Sequence, residues 1–74
     1  MQNLHQIEIN TRDRLLRGWE NSMQLVKEFK TCESLIDDCD DAKRMFSKFA
    51  EDEGVHAAEF KALLLDYEMK NKQK

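Results

Sequence analysis

The stretch AKRMFSKFAEDEGVHAAEFKALLLDY, residues 42–67, decides the fold. Its seam positions fall at alternating steps of four and three, and the series extends upstream: Leu35, Cys39, Ala42, Phe46, Phe49, Glu53, His56, Phe60, Leu63 and Tyr67. Steps averaging about 3.5 residues hold these side chains on one face of a helix, whereas a strand would scatter them over both faces. Lys43, Arg44, Lys48, Asp52, Glu59, Lys61 and Glu68 all avoid the series. The pattern predicts a helix over about 38–70 whose seam is buried against other helices. Upstream, Leu15, Leu16, Trp19, Met23, Val26 and Phe29 recur at spacings of three and four and predict a first helix over about 11–34. Asn10 or Thr11 can cap it, with Asp13 favourably placed in its first turn. The chain has no proline and only two glycines, Gly18 and Gly54. The break therefore falls within 34–41, where Asp37 and Asp38 are natural N-caps. A connection this short makes the helices antiparallel, so the expectation is an all-α two-helix hairpin, one domain spanning 1–74. Residues 1–9 fit either an extension of the first helix or an arm.

Seventy-four residues lie near the limit below which one core holds a fold without a disulfide, a metal or a partner. Two apolar stripes facing only each other leave Trp19, Phe46, Phe49 and Phe60 half in water. A second copy of the hairpin, giving a homodimer or higher homo-oligomer, completes a four-helix bundle and removes that exposure. Cys32 and Cys39 form neither a disulfide framework nor a zinc-type spacing and read as small apolar residues near a loop. The net charge of −3 disfavours nonspecific nucleic-acid binding. No apolar run approaches the roughly 20 residues of a membrane span, and a cytoplasmic protein with no membrane partner is expected.

Glu53 and His56 are the polar residues placed within the apolar seam. Three apart on a helix, they project from the same face. A carboxylate in such a seam needs a neutralising partner: a protonated histidine, a basic group from another chain, or a metal cation. If the hairpin turns near Asp37, Glu20 lies 17 residues before the turn and Glu53 lies 16 after it. At about 1.5 Å per residue both are some 25 Å from the turn and share one level. One hairpin then offers Glu20 and Glu53-x-x-His56. Two related by a twofold axis offer the ligand set of a di-iron carboxylate site, with four carboxylates balancing two divalent cations.

Trp19-Glu20 on one helix, followed by FSKFAEDEGVHAAEF over 46–60 on the next, resembles the first half of rubrerythrins and other ferritin-like proteins. The spacing between Glu20 and Glu53 is also similar to theirs. The resemblance covers about residues 12–68 and is closest in plan to half-length, encapsulated-ferritin-type proteins, in which two-helix chains dimerise. It implies a ferritin-like four-helix bundle with Glu20, Glu53 and His56 as metal ligands. It also implies a di-iron site shared between two chains, with ferroxidase or peroxide-reducing activity. The ligand types would equally accept manganese or zinc. No CxxC pair is present, so a rubredoxin-type centre is not expected. The plainer alternative is a metal-free helical-hairpin interaction module, in which a Glu53–His56 hydrogen-bonded pair fixes bundle register. Trp19 and Tyr67 read as packing residues, and His5 as a solvated residue of the N-terminal segment.

Overall fold

The computed structural model describes residues 10–72 of the chain, and the expectations for residues 1–9, His5 included, lie outside them. Two helices make up the described residues, with no strand among them: α1, Thr11–Leu35, and α2, Asp40–Lys72. They run antiparallel side by side, as contacts between Phe29 and Phe46 near the turn and between Arg12 and Glu68 at the open end require. The hairpin measures 55 × 30 × 12 Å, one helix thick.

Each helix boundary has a chemical cause. Asn10 caps α1, its side-chain oxygen accepting from the Asp13 N–H at 2.9 Å and its carbonyl from the Arg14 N–H at 3.1 Å. Helix α1 has no basic residue in its own last turn. Lys43 supplies the charge from α2, its Nζ donating to the carbonyl of Glu33 at 2.7 Å and to that of Ile36 at 3.4 Å. That ammonium satisfies carbonyls the helix end leaves without a partner and opposes the negative end of the α1 dipole. Cys39, rather than Asp37 or Asp38, caps α2. Its carbonyl accepts from the Lys43 N–H at 3.1 Å and its Sγ from the Ala42 N–H at 3.4 Å. Asp40 and Asp41 follow in the first turn, where carboxylates favour the positive end of the dipole. Cys39 therefore belongs to the helix cap, and the apolar seam does not begin until Ala42.

The contact line between the helices differs from the expected seam. The buried residues of α2 are Ala50, Ala57 and Leu64, a row repeating every seven positions. Ser22 is the buried residue of α1. Ala42, Phe46, Glu53, Phe60 and Tyr67 lie half-buried beside this row, whereas Leu35, Phe49, His56 and Leu63 are exposed. The physical reason is size. Ala50 and Ala57 on α2, with Gly18 and Ser22 on α1, let the backbones approach closely. A β-carbon on Gly18 would come within 2.5 Å of Phe60 Cε1. From Ala50 to Ala57 small residues take the line of closest approach and bulky ones are pushed to its flanks, where Phe29 packs tilted against both Phe46 and Phe49, while Leu64 fills the same row toward the open end.

Two flanking rows on α2 consequently face outward. Phe49, His56 and Leu63 repeat at sevens about 100° to one side of the buried row, and Val55, Ala62 and Met69 about 160° around on the other, close to the far side of the helix. Phe49 is 41% exposed and Leu63 54%; Val55 is 56% and Met69 62%.

Candidate functional site

Glu53 sits beside the buried row, next to Ala50 and Ala57 in the helix pattern, and only 20% of its side chain is exposed. One turn later His56 projects into the Phe49–Leu63 row with 53% of its side chain exposed. The His56 Nδ1 lies 3.4 Å from Glu53 Oε1, an ion pair when the imidazole carries its proton. The structure therefore brings these two residues together, one largely covered and one turned to the outside.

Glu20 does not join them. It is exposed on α1, and about 160° around the helix from buried Ser22, so its carboxylate points away from the α1–α2 contact line. Among the described residues of one chain, no three His, Cys, Asp or Glu side chains converge on a cation site. One chain thus brings together a carboxylate and an imidazole, donor types that iron, manganese and zinc all accept.

The surroundings of His56 are apolar on one side and acidic on the other. Leu15, His56, Glu59, Phe60 and Leu63 line an open groove of about 350 Å³. Glu59 stands off the apolar series and is exposed, yet it lines this groove, which the periodicity does not reveal. Its signal was Gly18, which leaves Phe60 seated over α1 where a side chain would otherwise stand. Trp19 belongs to the opposite flank, with Lys61 Nζ 5.6 Å from its ring centroid in a cation–π contact. Asp52 is engaged by Lys48 at 3.5 Å within α2, whereas Arg12 on α1 pairs across the hairpin with Glu68 on α2 at 2.6 Å. Cys32 and Cys39 are free thiols.

The chain matches no protein-family model, no curated protein and no solved structure. No described helix is long and apolar enough to cross a membrane.

Proposed function

We propose that the chain is a ferritin-like iron-binding hairpin that pairs with a second copy into a four-helix bundle. Glu53 and His56 of each copy are its metal ligands. The observation that carries this reading is the Glu53–His56 pair itself, a largely covered carboxylate beside an imidazole that stands in an apolar row the single chain leaves uncovered. A solvated ion pair needs no apolar surround. A pair meant to hold a cation gains from one, because low polarity strengthens the attraction between ligand carboxylate and metal.

Covering the row would bury two Glu53 carboxylates and two His56 imidazoles together. Those two carboxylates neutralise one divalent cation. Glu20 is the closing carboxylate of a two-iron site only if α1 turns on its axis by nearly half a turn as the bundle forms. Bound iron would supply redox chemistry toward dioxygen or peroxide, that is, ferroxidase or peroxide-reducing activity. The chain's own contribution is to hold the ligands, with Phe49, Phe60 and Leu63 excluding water around them.

Metal analysis of the chain purified without chelator and then loaded with ferrous iron tests the proposal. One iron per chain supports the two-iron site with Glu20, and one per two chains supports the Glu53–His56 set alone. Absence of stoichiometric binding, with Glu53→Ala and His56→Ala behaving as the unaltered chain, refutes both. A metal-free interaction module is the second reading, favoured by the exposed apolar rows on both flanks of α2. It requires that Glu53→Gln leave association unchanged in the absence of bound metal.

A further inference from the structure

The Phe49–His56–Leu63 row is symmetric in spacing: an aromatic residue seven positions before the histidine and a leucine seven positions after it. Rotation by a twofold axis perpendicular to α2 and passing at His56 exchanges positions 49 and 63. Such an axis lays α2 antiparallel against α2 of a second copy, with each Phe49 opposite Leu63 of the other and the two His56 side chains facing each other.

Shape and charge agree with that arrangement. Phe49 stands 41% exposed with its ring held against Phe29, a fixed apolar projection. From about 10 to 21 Å along the same helix lies the open groove lined by Leu15, His56, Glu59, Phe60 and Leu63, some 350 Å³ in volume. Each copy thus carries a projection and a recess that a twofold axis brings together twice, the self-complementarity an isologous interface requires. The ends of the rod differ in charge. Residues 31–44, around the turn, hold five acids against two bases, whereas residues 12–17 and 66–70, at the open end, hold four bases against three acids. Two hairpins with their turns at the same end would set acid against acid. With turns at opposite ends, the acidic turn of one lies beside the basic open end of the other, and the α2 dipoles also run antiparallel.

We infer that the Phe49–His56–Leu63 face is a self-docking surface whose occupant is a second copy in antiparallel register, Phe49 of each copy seated in the Leu15–Phe60–Leu63 groove of the other. The inference rests on the self-pairing part of the proposed function and not on iron.

The test is sedimentation of the full chain in excess chelator, with helicity followed in parallel. The unaltered chain is expected to be a dimer. Phe49→Lys and Leu63→Glu should each weaken it about tenfold or more while helicity is retained, since both positions are already exposed in the single hairpin. Mixing the two variants should restore dimer, because the heterodimer pairs Lys at 49 with Glu at 63 on one side and keeps Phe49 with Leu63 on the other. Val55→Glu, on the opposite flank, should change nothing. A monomeric unaltered chain, a mixture no tighter than either variant alone, or equal disruption by Val55→Glu overturns the inference. A dimer that survives chelation but binds no iron overturns only the iron reading.

Discussion

Replacing Gly18 by alanine tests the packing register on which the whole site depends. An exposed helical glycine changed to alanine gains about 1 kcal/mol from backbone entropy. Gly54 provides that reference within the same molecule, because a β-carbon there meets nothing within 4 Å. At Gly18 the new methyl would stand 2.5 Å from Phe60 Cε1, 2.6 Å from Cζ and 2.9 Å from Cδ1. Carbon atoms settle at about 3.5–4.0 Å, so the ring must retreat by about 1 Å. Overpacking of this kind costs about 1–3 kcal/mol, which cancels or outweighs the entropic gain. Gly18→Ala should therefore be neutral to destabilising by about 2 kcal/mol, while Gly54→Ala stabilises. For a domain of this size each kcal/mol moves Tm by roughly 4–8 °C, so the two substitutions should separate clearly. The assay is thermal unfolding followed by circular dichroism at matched chain concentration, because association itself adds stability. In a Phe60→Leu background the Cε1 and Cζ atoms are gone, and Gly18→Ala should become stabilising. If Gly18→Ala raises Tm as much as Gly54→Ala and Phe60→Leu does not alter its effect, Phe60 does not sit over Gly18 and the register is wrong.

Other consequences follow from single contacts. Lys43→Ala leaves the carbonyls at the end of α1 without their ammonium and should cost about 1 kcal/mol in urea unfolding, with Lys43→Arg recovering part of it. Cys39→Ser replaces a weak sulfur acceptor at the α2 cap by a hydroxyl and should raise stability by about 0.5–1 kcal/mol; a fall in Tm would show that the thiol does more than cap. Arg12→Gln removes a surface pair whose side chains are 47% and 33% exposed, so its effect should stay below about 1 kcal/mol and shrink in high salt. Ferrous iron should tighten dimerisation, because each copy supplies half the ligands; an association constant insensitive to iron would refute a shared site.

Much of this was legible in the residues. Period and caps predicted two helices over 11–34 and 38–70, and the structure places them at Thr11–Leu35 and Asp40–Lys72. The later start of α2 comes from Cys39, whose cap is made by a carbonyl and a sulfur, an arrangement that propensity ranks below the neighbouring aspartates. The pairing of Glu53 with His56 was also legible, since a three-residue step on a helix leaves little freedom. The position of Glu20 was not. Direction around the axis depends on which side of α1 meets α2, which a count of residues to the turn does not contain and which Gly18 and Ser22 settle.

The chain length and its apolar stripes state by themselves that a single hairpin is an incomplete core, because two narrow stripes cannot cover Phe49 and Leu63 as well as each other. Local pattern also determined helix number, direction and the one polar pair in the apolar face. Only the tertiary structure decided which part of the stripe is spent inside the hairpin and which is left for something else. Close packing gives the line of contact to the smallest side chains, so Ala50 and Ala57 are buried while Phe49, His56 and Leu63 face outward. Hydrophobicity alone ranks Phe49 and Leu63 above the two alanines, and only the fit of two surfaces reverses that order.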